Sequence, residues 1–181
     1  ESEANFRKEW KEIIDYLYSS PSIGVWVPFN ECWGQFKTQE IVEWTKAYDP
    51  SRLVNPASGG NHYLTGDILD THHYPNPRLT LLDTNRATVL GEYGGIGFVM
   101  KGHNWGYVRL NSPKEVTDEY EKYAEMLYKL IGRGFSAGVY TQTTDVEMEV
   151  NGLMTYDRKE MKVEPERIRK INQKLCNALG K

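Results

Sequence analysis

An α/β fold built on parallel strands is what this sequence predicts, and three observations predict it. Short apolar runs alternate with segments whose apolar residues recur at helical spacing. The runs carry β-branched residues and are bounded by Pro, Gly, Asn and Asp. Polar residues gather just past their carboxyl ends: Asn30-Glu31, Ser58, His72-His73, Glu92, Gln142 and Asp145. Strands that alternate with helices form βα units around a parallel sheet, and in a barrel of such units that end carries the active site.

Each element has a local cause. Residues 3–19 place Phe6, Trp10, Ile13, Ile14 and Leu17 on one helical face, and Pro21 ends that helix. Ile23 to Phe29 is nearly all apolar, a strand buried on both faces, with Pro28 near its end. A helix follows from Thr38 to Tyr48, lined by Ile41, Val42, Thr45 and Tyr48 and stopped by Asp49-Pro50. Strands are expected at Leu53–Ala57, Ile68–Tyr74 and Ala87–Leu90, the last leading to Glu92. Residues 94–111 read as a long glycine-rich loop with Phe98, Trp105 and Tyr107; loops of that length are as a rule lids or binding loops. Ser112-Pro113-Lys114-Glu115 starts a helix that buries Val116, Tyr120, Tyr123, Ala124, Leu127 and Ile131. Phe135–Thr141 is the fifth strand. After an acidic, Met-containing loop, Pro165 opens a last helix with Ile168, Ile171, Leu175 and Leu179, ending at Gly180.

The bulk numbers narrow the function classes. The chain has 181 residues, enough for one domain with a proper core. A net charge of −3 gives no electrostatic reason to expect nucleic acid or a membrane surface. No apolar run approaches the ~20 residues needed to span a bilayer. Cys32 and Cys176 have no metal spacing and make no disulfide framework. Neighbouring His72 and His73 on a strand point to opposite faces and do not readily share an ion. No metal and no cofactor is expected. The compartment is left open.

Glu31 and Glu92 each follow their own buried strand. A lone Glu in that place is as a rule a cap or a surface charge. Two of them, one preceded by Asn and the other followed by glycines, fit an acid/base pair held over a sheet. Glycosidic hydrolysis needs such a pair: one carboxyl protonates the leaving oxygen, and the other attacks the anomeric carbon or activates water. A retaining enzyme holds the pair ~5–5.5 Å apart, an inverting one ~6.5–9.5 Å.

Here three stretches carry a resemblance. Ile23-Gly24-Val25-Trp26-Val27-Pro28-Phe29-Asn30-Glu31 resembles the Asn-Glu strand of glycoside hydrolase family 2, the β-galactosidase, β-glucuronidase and β-mannosidase family. Leu90-Gly91-Glu92-Tyr93-Gly94 is similar to its nucleophile strand, and Gly152-Leu153-Met154-Thr155-Tyr156-Asp157-Arg158-Lys159 to the segment after its last barrel strand. The three fall in the family's order between about residues 8 and 170. The resemblance implies a partial (β/α)8 TIM barrel of about five parallel strands, the fourth to the eighth, with intervening helices. It implies a retaining β-glycosidase with Glu31 as acid/base and Glu92 as nucleophile. Asn30 would hold the sugar 2-hydroxyl, and the Tyr74 hydroxyl would hold Glu92 ionised and aligned. Trp33, His72, His73, Gln142 and Asp145 are further candidates for binding a carbohydrate substrate.

A complete barrel has eight βα units in ~250 residues. The sequence, which opens on Glu1-Ser2-Glu3, therefore reads as the C-terminal portion of a larger barrel, a single domain over residues 1–181. Two expectations follow. The isolated chain should be a weak catalyst or none, and its bare sheet edges should be covered by its own termini or drive self-association. Two rival readings remain: another Asn-Glu barrel glycosidase, cellulase- or mannanase-like, and a non-catalytic carbohydrate-binding or assembly module.

Overall fold

The computed structural model of the chain describes residues 1–60, 62–100 and 107–178. Trp105 of the glycine-rich stretch, and Leu179 and Gly180 at the end of the last helix, lie outside the described residues. Among those described are four helices and seven strands. In chain order they are α1 (Ser2–Leu17), β1 (Val25–Trp26), α2 (Thr38–Tyr48), β2 (Leu53–Val54), β3 (Ile68–His73), β4 (Ala87–Gly94), β5 (Ile96–Phe98), β6 (Val108–Leu110), α3 (Pro113–Ile131), β7 (Phe135–Thr141) and α4 (Pro165–Ala178). No described helix is long and apolar enough to cross a membrane. Two compact units divide the chain: Glu1–Asp70 with Asp83–Ala87, and Thr71–Leu82 with Thr88–Lys181.

In the first unit α1 and α2 supply most of the apolar faces their spacing predicts, but Ile13 and Tyr48 lie exposed. Ile14, Trp26, Val42 and Val54 are fully or nearly fully buried together, with Trp10, Leu17, Ile23 and Trp44 packed against them. Phe29, Ile41 and Ala57 form a second cluster under Phe6 and Phe36. The Phe6 and Phe29 rings stack at 5.3 Å. Each such buried side chain contributes about 1.5–3 kcal/mol.

β1 and β2 pair in parallel, Val25 with Leu53 and Trp26 with Val54. Both are shorter than the expected 23–29 and 53–57, and the prolines are the reason. Leu53 N–H donates to Gly24 O and Asn55 N–H to Trp26 O. The next rung needs an N–H from residue 28, which proline lacks. Pairing resumes beyond it, where Ser58 N–H donates to Phe29 O and Glu31 N–H to Ser58 O.

One buried carboxylate braces this unit. Asp49 is 0% exposed and accepts from Trp26 Nε1 at 2.8 Å, Arg52 Nη1 at 2.7 Å, and the Ser51 backbone N–H and hydroxyl. Burial by itself raises the pKa of the Asp49 carboxyl, but the donors from Ser51, Trp26 and Arg52 outweigh it and hold the group well below the usual carboxylate range. The folded value lies below the unfolded one of ~3.9. The stabilisation is therefore complete above about pH 4 and is lost as pH falls through the folded value. Asp49→Asn should cost about 1–3 kcal/mol at pH 7. Urea unfolding at pH 7 and pH 3 should show a smaller loss on acidification in the variant than in the unchanged chain.

In the second unit Thr71–His73 of β3, Thr88–Gly94 of β4, and β7 form a sheet ordered β3-β4-β7. β4 and β7 are parallel, from Thr88 opposite Phe135 to Gly94 opposite Thr141, with two register shifts. Leu90, Tyr93, Ile96, Val116, Tyr120, Tyr123, Leu127, Phe135 and Ile168 make the core. The Ser112 hydroxyl accepts from Glu115 N–H at 3.2 Å and caps α3 as its sequence predicts.

Two expectations change here. β4 runs on to Gly94, so Glu92 lies within the strand. The stretch expected as irregular contains β5 and β6, paired in parallel with Ile96 opposite Val108 and Phe98 opposite Leu110. Ile96 is fully buried, and the alternation of Ile96 with Phe98 and of Val108 with Leu110 is a strand pattern that glycines and polar neighbours obscure. The architecture is α/β with parallel pairing. Its described strands form sheets of two, three and two, and no closed barrel is found among the described residues. That replaces the expected run of five adjacent strands.

Candidate active site

In the first unit the Asn30-Glu31 segment turns sharply where the β1 pairing ends. Glu31 and Cys32 both have left-handed backbones, with φ of 49° and 68°. Non-glycine residues held that way cost about 1–3 kcal/mol each and concentrate at functional sites. Trp33 N–H closes the turn on Asn30 O at 3.1 Å. Asn30, Glu31 and Trp33 are exposed, Trp33 by 81%.

What holds the turn is Ser58, one of the polar residues past the strand ends, together with Asn55 and Asp70, which the sequence did not single out. The buried Asp70 carboxylate accepts from Asn55 Nδ2 at 2.7 Å and from the Ser58 hydroxyl at 2.8 Å. Ser58 in turn bonds Phe29 and Glu31 through its backbone. Asp70 thus fixes the segment on which Glu31 sits. The available signal was an acid directly after Ile68-Leu69, since a carboxylate in a buried strand needs partners.

In the second unit Glu92 lies near the carboxyl end of β4. Its Oε2 accepts from the Tyr74 hydroxyl at 2.5 Å and lies 3.4 Å from His72 Nδ1. Burial, and next the hydrogen bond to Glu92, push the Tyr74 phenol far above its ordinary value. It therefore stays protonated and donates to the carboxylate. The Tyr107 ring stacks on Tyr74 with centroids 4.1 Å apart and planes 9° from parallel.

Other candidates point elsewhere. His73 Nδ1 lies 2.7 Å from Asn76 O. Gln142 Nε2 donates to Asn151 Oδ1 at 2.8 Å. Asp145 Oδ1 accepts from the fully buried Lys162 Nζ at 2.6 Å and from Gly152 N–H at 2.9 Å. Cys32 and Cys176 are exposed free thiols. An apolar cavity of about 380 Å³ in this unit, walled by Tyr120, Leu127, Phe135 and Leu175, contains neither glutamate and no charged side chain.

The α/β fold with parallel pairing is like that of solved structures, two β-glucuronidases among them. One is a Faecalibacterium prausnitzii β-glucuronidase, with a TM-score of 0.61 and 16% identity over 96% of this chain and 35% of that one. The other is an FMN-binding β-glucuronidase from F. prausnitzii L2-6, with a TM-score of 0.53 and 18% identity over 88% of this chain and 30% of that one. At these identities the likeness is one of fold alone. The chain spans about a third of the length of either. No protein-family model matches the chain, and no curated protein was found to match it.

Proposed function

We propose that this chain is the C-terminal, single-domain part of a retaining β-glycosidase barrel of glycoside hydrolase family 2. Carbohydrate is its substrate and Glu92 its nucleophile. The observation that carries the reading is the Tyr74–Glu92 contact: a strand-borne carboxylate has one oxygen fixed by a phenol that stays protonated. Such a donor holds a carboxylate oxygen aimed, as a nucleophile requires. Glu31, on its strained and braced turn in the first unit, is the acid/base. It protonates the departing oxygen and then takes a proton from the incoming water. Asn30 binds the sugar 2-hydroxyl, and His72 supports Glu92. The exposed Trp33 offers a face for a sugar ring. His73, Gln142 and Asp145, which bond Asn76, Asn151 and Lys162, are further candidates for contacts to the carbohydrate. Self-association through uncovered sheet edges belongs to the same reading.

The test is covalent capture. A panel of 2-deoxy-2-fluoro β-glycosyl fluorides (galactosyl, glucuronyl and mannosyl) should add one glycosyl mass to the chain, and peptide mapping should place it on Glu92. Glu92→Gln should abolish the adduct. Labelling at another residue, or undiminished labelling of the Glu92→Gln variant, sinks the assignment.

A further inference from the structure

The contact between Tyr74 and Glu92 raises the question of what aims the phenol. A tyrosine ring turns about two side-chain bonds, and a hydroxyl at its tip keeps its direction only if the ring is clamped. The Tyr107 ring covers one face of Tyr74 at 4.1 Å, nearly parallel. Tyr107 is itself 49% exposed, so burial of its own surface is a weak reason for its place.

Its backbone explains the place. Tyr107 N–H donates to Gly95 O at 3.1 Å, and Gly95 N–H donates to Thr141 O at 2.9 Å. Gly94 N–H donates to Pro75 O at 2.8 Å, beside Tyr74. Both rings are thus tied to the glycine pair that follows Glu92 and Tyr93. A Cβ on Gly95 would lie 2.3 Å from Tyr107 Cδ2, and Gly95 has φ +64°. Only glycine admits both that backbone and the ring so close to it.

We propose that Tyr107 is a positioning residue. By stacking on Tyr74 it holds the phenol on the line to Glu92 Oε2, and Gly95 is the residue that lets it do so. The inference rests on the glycosidase reading for its consequence in catalysis, but its geometry is testable without any turnover.

The experiment has two arms, applied to Tyr107→Ala, Tyr107→Leu, Tyr107→Phe, Gly95→Ala and Tyr74→Phe, with far-ultraviolet circular dichroism to identify variants that fold. In the first arm the tyrosines carry 13C at Cζ, and Tyr74 is assigned as the resonance missing from Tyr74→Phe. Tyr107→Ala, Tyr107→Leu and Gly95→Ala should move that resonance, and Tyr107→Phe, which keeps the ring, should leave it in place. The second arm measures labelling by the fluoroglycoside, separating the maximal rate from half-saturation. Tyr107→Ala should lower the maximal rate about tenfold, the size of a coupling between touching residues, with half-saturation unchanged. Tyr107→Phe should restore the rate. In a Tyr74→Phe background the Tyr107→Ala change should have no further effect.

An unmoved Tyr74 resonance in the folded Tyr107→Ala or Tyr107→Leu chain overturns the inference. So does labelling of those variants at the unchanged rate. If the unchanged chain takes no label, the glycosidase reading fails by itself, and the resonance arm alone decides whether Tyr107 positions Tyr74.

Discussion

Glu31→Gln should slow cleavage of glycosides with poor leaving groups by about 10²–10⁴-fold, the range for loss of a general acid. The same variant should be glycosylated as fast as the unchanged chain by 2,4-dinitrophenyl glycosides, whose phenolate departs without a proton. The difference follows from the acid/base role proposed for Glu31. Bond cleavage needs a proton on the leaving oxygen in proportion to that oxygen's basicity, and an amide at residue 31 has none to give. The second half of the reaction also suffers, because no base is left to take a proton from water. Glycosylated Glu92 should then accumulate. Azide, an anion that attacks without deprotonation, should release it as the glycosyl azide. The measurement is a series of aryl glycosides of graded leaving-group acidity, with stopped-flow detection of the first turnover. A loss of the same size for every leaving group would remove Glu31 from the role. Glu92→Gln should give no burst with any of them.

Asp145→Ala should destabilise the second unit by about 3–5 kcal/mol, the cost of leaving one partner of a buried ion pair alone. That is a large part of the whole stability of a typical domain. Lys162 is 0% exposed and its ammonium donates to Asp145 Oδ1 and Val150 O. Burial pushes the Lys162 amine below its ordinary value, and Asp145 pulls it back up. Without Asp145 the amine falls further. A lowered value in lysine means that the charged form is disfavoured in the folded state; the unfolded chain binds more protons, so the penalty is present at pH 7 and is relieved as pH rises toward the unfolded value of ~10.4. Urea unfolding of Asp145→Ala at pH 7 and pH 9.5 should show the deficit narrowing at the higher pH. A double replacement, Asp145→Leu with Lys162→Met, should recover most of it, because a buried pair exchanged for apolar side chains is often neutral. A single variant within about 1 kcal/mol of the unchanged chain at pH 7 would show that this pair behaves as an exposed one.

These predictions draw on different amounts of information in the sequence. α2 is legible from Ile41, Val42 and Thr45 and from the stop at Asp49-Pro50, and its bounds are Thr38–Tyr48. The start of α3 is equally local: Ser112 caps the N–H of Glu115, three residues along the chain. Glu31 and Glu92 stand out because each follows an apolar run. Such features depend on neighbours within one turn of helix or one strand, and a linear sequence contains them whole.

The rest depends on which distant segments meet. β1 ends early because proline at residue 28 faces Asn55 across a parallel ladder, a partner that spacing does not reveal. β5 and β6 form because residues 96–98 meet residues 108–110, and alternation over three residues is too short to distinguish from a loop. Asp145 reads as a polar residue past a strand end and a candidate for binding carbohydrate until Lys162 is seen buried against it. By itself, then, the sequence determined the α/β class, the helices with the Ser112 cap of α3, and the two glutamates as candidates. The Tyr74–Glu92 contact is an expectation drawn from the family resemblance, and the structure places the two groups 2.5 Å apart. Only the tertiary structure decided that Tyr107 covers Tyr74 and that Asp70 braces the turn carrying Glu31. Periodicity and capping act over a few residues, whereas the direction of a side chain is set by atoms brought together from far along the chain.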